Sequence, residues 1–229
     1  LDEIQQVGQG DDDTLRGVIR LTAPAPFGRK HVAPAIAEFS RQHPQVGFDL
    51  RLTDRMVDLY DDGFDLAIRL GEPTDSRLLS TPLALNRRML VASPGYVAAH
   101  GTPHRPEDLS RHQALLPAGP DGTQNTWTMR QGRRERTVEI NGALGSDSGE
   151  ILHAWCLSGL GISLRETWDI HDALRSGRLV PVLPDWTVPV THISAVRARR
   201  DPVPRRLDTF IEFLARRWRD APWNTDAAR

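Results

Sequence analysis

The spacing of hydrophobic positions changes several times along the chain, and each change marks an element. VIRLTAP (18–24) alternates apolar and polar residues and then meets proline, the pattern of a strand entering a turn. In FGRKHVAPAIAEFSRQH (27–43), Val32, Ile36 and Phe39 share one helical face. Pro34 lies inside this stretch, so the helix is expected to kink there or to regularise only after it, and Pro44 closes it. VGFDLRLT (46–53) predicts a second strand, RMVDLYDDG (55–63) a short helix stopped by Gly63, and FDLAIRLG (64–71) a strand of the buried type. The order β-α-β-α-β with short connections implies right-handed crossovers and a parallel sheet.

Further along, RRMLVASP (87–94) predicts another strand, and residues 95–125 are loop-rich with short helices. Alternating segments at 125–130 and 133–140, joined by Gln131-Gly132, predict a hairpin. Helices follow at 148–159 and 168–175, and strands at 161–165, 178–183 and 191–198. Asp201-Pro202 offers a helix N-cap with proline in the first turn. Leu207, Phe210, Ile211, Leu214 and Trp218 then form one continuous apolar stripe. The order divides into a first lobe (17–88 with 192–229), a second lobe (89–191), and a lead-in (1–16) that reads as the end of a linker helix and a linker. A chain that passes twice between α/β lobes leaves a cleft at the crossing, here near 87–91 and 189–193, where ligands bind.

Composition narrows the function. The 229 residues, 39% hydrophobic, suffice for one large core or two small ones, and 18 Gly and 17 Pro predict many turns. No apolar run approaches bilayer length, and the polar, acidic start carries no secretory signal. The single cysteine, Cys156, excludes an intrachain disulfide, reads as a small buried residue and suits a reducing cytoplasm. A net charge of −1 lacks the bulk basic character of a DNA-binding module. The basic residues are all arginine except Lys30, a bias read as genome composition. The densest basic stretch, Arg197, Arg199, Arg200, Arg205 and Arg206, reads as a solvated turn and helix start.

Candidate chemistry sits where strands end and helices begin. The loop TAPAPFG (22–28), with Thr22, Ala23, Pro24, Phe27 and Gly28, occupies the position where parallel sheets bind ligands; free backbone N–H groups and the helix dipole favour an anion there. The bland alternative is a Pro-rich turn. Ser146, Asp147 and Ser148 precede a second helix, and Asp147 with Glu150 has the spacing of a capping pair. Arg69 and Arg165 each end a strand, where a planar fork can meet a carboxylate or pair with a local acid such as Asp65, Glu72 or Glu166. GSDSG (145–149) also has the form of a nucleophile elbow with Asp147 at its apex and His192 late in the chain, an enzymatic alternative that lacks an oxyanion-hole motif. The scattered histidines have no metal-ligand spacing, and Gly159-x-Gly161 lacks the rest of a dinucleotide fingerprint, so neither metal nor cofactor is expected.

Taken in order, GVIRLTAPAPFGRKHVAPAIAEF (17–39), HPQVGFDLRLTDR (43–55), DDGFDLAIRLGEPTDSRL (61–78), RRMLVASPGYVAAHGTPHRPEDL (87–109), SGEILHAWCLSGLGISL (148–164), SGRLVPVLPDW (176–186) and the RR-x-x-x-x-x-FIEFL end (205–214) resemble the effector-binding domain of LysR-type transcriptional regulators. The likeness spans some 200 residues, and its order and spacing are more specific than any one motif. It is similar to a subgroup with an RxxWD stretch, here Arg165 to Asp169, where many relatives carry a Leu-Pro pair. The resemblance implies an α/β fold of two Rossmann-like lobes like type 2 periplasmic binding proteins, with the ligand cleft between them. It implies a cytoplasmic, non-enzymatic sensor of a small organic effector, a homodimer or homotetramer, no membrane partner, and DNA contact only through an N-terminal winged helix-turn-helix absent from this sequence. A periplasmic solute-binding protein is the alternative within the same fold.

Overall fold

The structure, a computed structural model, describes residues 15–53, 58–71, 75–119, 122–123, 125–199 and 202–224. The expected linker at 1–16 falls almost wholly outside them. The first lobe opens with β1 (Gly17–Ala23), α1 (Ala25–Phe27), a π-helical turn (Gly28–Val32), α2 (Ala33–Gln42), β2 (Val46–Leu52), β3 (Leu66–Leu70) and β4 (Leu78–Asn86). After Arg87 the chain builds a second sheet from β5 (Arg88–Ala92), α3 (Pro94–His100), β6 (Gln113–Gly119) and the short β7 (Gly122–Thr123). The hairpin of β8 (Thr126–Gln131) and β9 (Arg134–Glu139) precedes β10 (Asn141–Ser146), α4 (Gly149–Leu157), β11 (Ile162–Glu166), α5 (Thr167–Arg175) and β12 (Val180–Pro181). The return pass leads to β13 (Thr191–Ala198) and α6 (Arg205–Arg219).

The first sheet runs β2-β1-β3-β13-β4 and the second β10-β6-β11-β5-β12, with β7 on β6. The three leading strands of the first sheet are parallel, as expected. The sheet as a whole is mixed, because β13 re-enters from the second lobe and lies antiparallel to both β3 and β4. β4 escapes the sequence pattern because Pro82 interrupts it; as a sheet edge it tolerates the missing donor, and its register with β13 shifts at that point. Gly132 takes φ +58 in the two-residue turn between β8 and β9, the left-handed conformation this hairpin needs.

Pro34 sits in the first turn of α2, and the helix is regular only from there, because the stretch before it is a π turn in which the Ala33 N–H donates to the Gly28 carbonyl. Two other expected features take another form. The helix expected at 55–63 starts on residues outside the described ones. Its second half is a turn, because the Asp58 carboxylate accepts from the Tyr60 and Asp61 N–H groups and so competes with helix hydrogen bonds. Asp201, the expected N-cap of the last helix, also lies outside; α6 starts at Arg205 after Pro204, with no side-chain cap.

The first-lobe core packs Ile19, Leu21 and Ala23 of β1 against Val32, Phe39 and the whole stripe Leu207, Phe210, Ile211, Leu214 and Trp218 of α6. Phe39 is its hub, with ring centroids 5.0 Å from Phe210 and 5.3 Å from Phe213. The second sheet is covered on both faces, by a cluster around Trp127 and Met129 and another around Leu152, Cys156 and Ile170. Cys156 is fully buried, and burial pushes its thiol up to about 12. Because Phe39 is 1% exposed, Phe39→Ala is expected to cost about 3–5 kcal/mol, checked as a fall in denaturant midpoint at unchanged slope.

Candidate functional site

Where the lobes meet, a cavity of about 200 Å³ opens. Pro24, Pro26 and Leu70 line it from the first lobe. Ser146, Asp147, Gly149, Leu152 and Arg165 line it from the second, with Arg88 at the crossing. Arg165 is 4% exposed, and its Nε–H is buried with no hydrogen-bond partner among the described residues. The Nε–H of Arg88 is in the same condition. Buried donors of this kind are costly unless something else satisfies them. A wider depression of about 620 Å³ lies elsewhere on the second lobe, beside Tyr96, His100 and Arg178. None of the buried unpartnered groups belongs to its lining, so the smaller inter-lobe cavity is the stronger candidate.

The residues singled out in the sequence divide between cleft and interior. Pro24, Ser146, Asp147 and Arg165 line the cavity together. Thr22, Ala23 and Phe27 are fully buried in the first lobe and are not part of that lining. Phe27 packs edge-on against Trp168 and Trp218, each 5.1 Å away. Gly28 is buried against Leu52. Leu70, not Arg69, reaches the cavity, and the alternation of strand side chains turns its neighbour to the opposite face. Asp147 is not the helix N-cap: Ser148 holds that position without a side-chain bond, and the Ser146 hydroxyl accepts from the Ser148 N–H at 3.1 Å. Glu150 does not cap either, because Arg29 of the first lobe binds it. Asp147 belongs to the second lobe and His192 to β13 of the first sheet, so they stand on different lobes.

Beside Arg165 lies an ion cluster of which the sequence showed only the Arg165 to Asp169 stretch. The Asp169 carboxylate is 3% exposed. Its Oδ2 accepts from Arg165 Nη2 and lies 2.7 Å from His153 Nδ1, and its Oδ1 accepts from Lys30 Nζ, also at 2.7 Å. Burial alone would push this carboxyl up, but the His153 hydrogen bond, the Arg165 and His153 charges and Lys30 hold it well below the usual range. Trp168, one residue earlier, donates from Nε1 to Asn86 Oδ1 at 3.1 Å and joins the first-lobe core. Gly149 permits this arrangement, since a Cβ there would stand 3.2 Å from Arg165 Nη2.

The "LysR substrate binding domain" family matches residues 12–219 of this sequence. The chain belongs to that family. Relatives of this LysR-family domain include the HTH-type transcriptional regulator DmlR of Escherichia coli K12, 36% identical over 92% of this chain and 70% of the relative. The HTH-type transcriptional activator TtdR of the same strain is 38% identical over 87% of this chain and 64% of its own length, so the chain spans about two thirds of such relatives. In structure it is similar to the CrgA regulatory domain of Neisseria meningitidis, with TM-score 0.78, 31% identity and coverage of 88% and 98%. Full-length AphB of Vibrio cholerae gives TM-score 0.76 and 27% identity over 88% of this chain and 69% of that one. The two-lobed α/β architecture with mixed sheets is thus that of LysR regulatory domains. Among the described residues no helix is long and apolar enough to cross a membrane.

The same inter-lobe seam makes stability pH-dependent. Burial lowers the His31 imidazole from 6.5 to about 4, opposed by a hydrogen bond to the Trp168 carbonyl. The unfolded chain therefore binds a proton that the folded chain refuses between these values. Stability should fall as pH drops from 6.5 toward 4, and His31→Gln should flatten that slope in chemical denaturation. The lowered Asp169 carboxyl adds its own loss only below its unfolded value of 3.8.

Proposed function

We propose that this LysR-family domain is the cytoplasmic effector-sensing part of a DNA-binding transcriptional regulator, and that its effector is a small organic carboxylate held between the lobes. The observation that carries the ligand class is Arg165: a buried guanidinium at the cavity floor with an unused Nε–H. That donor and Nη2 form one edge of the fork, and because Nη2 already donates to Asp169, an incoming carboxylate meets the Nε–H first and competes with Asp169 for the rest of the edge. Arg88 supplies a second unused donor at the crossing, and Ser146 and Asp147 at the start of α4 close the far wall. The helix-turn-helix regulators among its relatives support the DNA-binding role, carried by a part of the protein outside this sequence and exerted as a homodimer or homotetramer. A ligand that prefers one arrangement of the lobes then changes the spacing of the DNA-reading heads. The transcriptional regulators among its relatives support a binding role rather than a catalytic one.

Calorimetric titration with a library of carboxylates tests this reading. Arg165→Met should weaken a true effector tenfold or more, about 2 kcal/mol for a charged hydrogen bond. Thr22→Ala should leave affinity unchanged, because Thr22 is sealed inside the first lobe. Unaltered binding by Arg165→Met would remove Arg165 from the site.

A further inference from the structure

Three successive residues of the π turn, Arg29, Lys30 and His31, all end on the second lobe. The Arg29 guanidinium pairs with Glu150 at the start of α4. Lys30 Nζ donates to both the Oδ1 and the main-chain carbonyl of Asp169, each at 2.7 Å. His31 Nε2 lies 3.3 Å from the Trp168 carbonyl. Only the Lys30 contact lands on a side chain that also holds Arg165, the buried cation of the cleft wall. The Asp169 carboxylate gives one oxygen to Lys30 and the other to Arg165 and His153. One buried anion is therefore shared between two side chains that are permanently charged, Lys30 and Arg165. The other acids nearby bring little relief: Glu166 stands 3.9 Å from Arg165, and Glu150 is held by Arg29.

We propose that Asp169 couples the cleft to the contact between the lobes: an anion that takes the free Nε–H of Arg165 and competes for its Nη2 draws this cation away from Asp169, whose carboxylate then grips Lys30 more firmly. Filling the cleft thus fastens the lobes together. The inference rests on the reading of the cleft as an anion site, and it assigns Asp169 and Lys30 as positioning residues that touch each other rather than the ligand.

Lys30 is the single lysine of the sequence, so amine chemistry reports on one side chain. The ion pair with Asp169 opposes its reaction, because the amine reacts only through the lone pair that the ammonium lacks. Reductive methylation with formaldehyde and cyanoborohydride, mapped by peptide mass to separate Lys30 from the terminal amine, reads the strength of that contact. Malonate at saturating concentration should slow Lys30 methylation several-fold. Asp169→Asn should speed it and abolish the malonate response. Arg165→Met should slow it even without malonate, because the competing cation is gone. Malonate that binds by calorimetry but leaves the Lys30 rate unchanged overturns the coupling while the anion-site reading stands. If malonate does not bind, it is the anion-site reading that suffers, and the ligand-free rates decide the competition: equal rates in wild type and Arg165→Met overturn it, whether or not Asp169→Asn folds.

Discussion

A carboxylate withdrawn from water must be surrounded by positive charge, and Asp169 imposes that demand on everything around it. It draws Arg165 under the cleft from β11, His153 inward from α4, and Lys30 across from the first lobe. Removing any one partner shifts its share of that demand onto the others. This one group links the Arg165 fork to the first lobe, beside the seat of Trp168 in the first-lobe core.

The cleft itself is a by-product of topology. β4 ends at Asn86 and β5 begins at Arg88, so the chain passes between sheets in a single residue. The return brings β13 down between β3 and β4, locking the first sheet only after the second has been made. With α6 then packed across β1, the first lobe is built from both ends of the described chain. Its rigidity is non-local, and contacts of that kind are slow to form.

Much of this was legible in the residues. The parallel β1-β2-β3 start, the β8-β9 hairpin and the α6 stripe each carry a strong period or a turn glycine. β6 and β10 were not legible. QALLPAG and NGALGS have no alternation, and Gly142 serves close packing instead, since a Cβ there would fall 1.9 Å from the Ala114 carbonyl oxygen. The cleft was half legible. Pro24, Ser146, Asp147 and Arg165 were reachable because strand ends and helix starts are local features. Thr22 and Phe27 looked alike by that criterion, and only their burial tells them apart. Lys30 and Asp169 are 139 positions apart, and no local rule joins them. One signal was present: the spacing from Arg165 to Asp169 brings a strand's last turn of chain onto the first turn of α5. The solitary lysine, singled out in the sequence only by its rarity, lands on this buried carboxylate.

The π turn at Gly28–Val32 carries a last implication. Each residue of a regular helix rotates its side chain by about 100° from the one before. Loss of one residue from this turn would restore ordinary pitch and swing Lys30 off Asp169, while the core residues on either side could still find their places. Length as well as residue identity therefore decides whether this segment reaches the second lobe. A lineage could unfasten the two halves of the molecule by a three-nucleotide deletion without changing a single amino acid of the cleft.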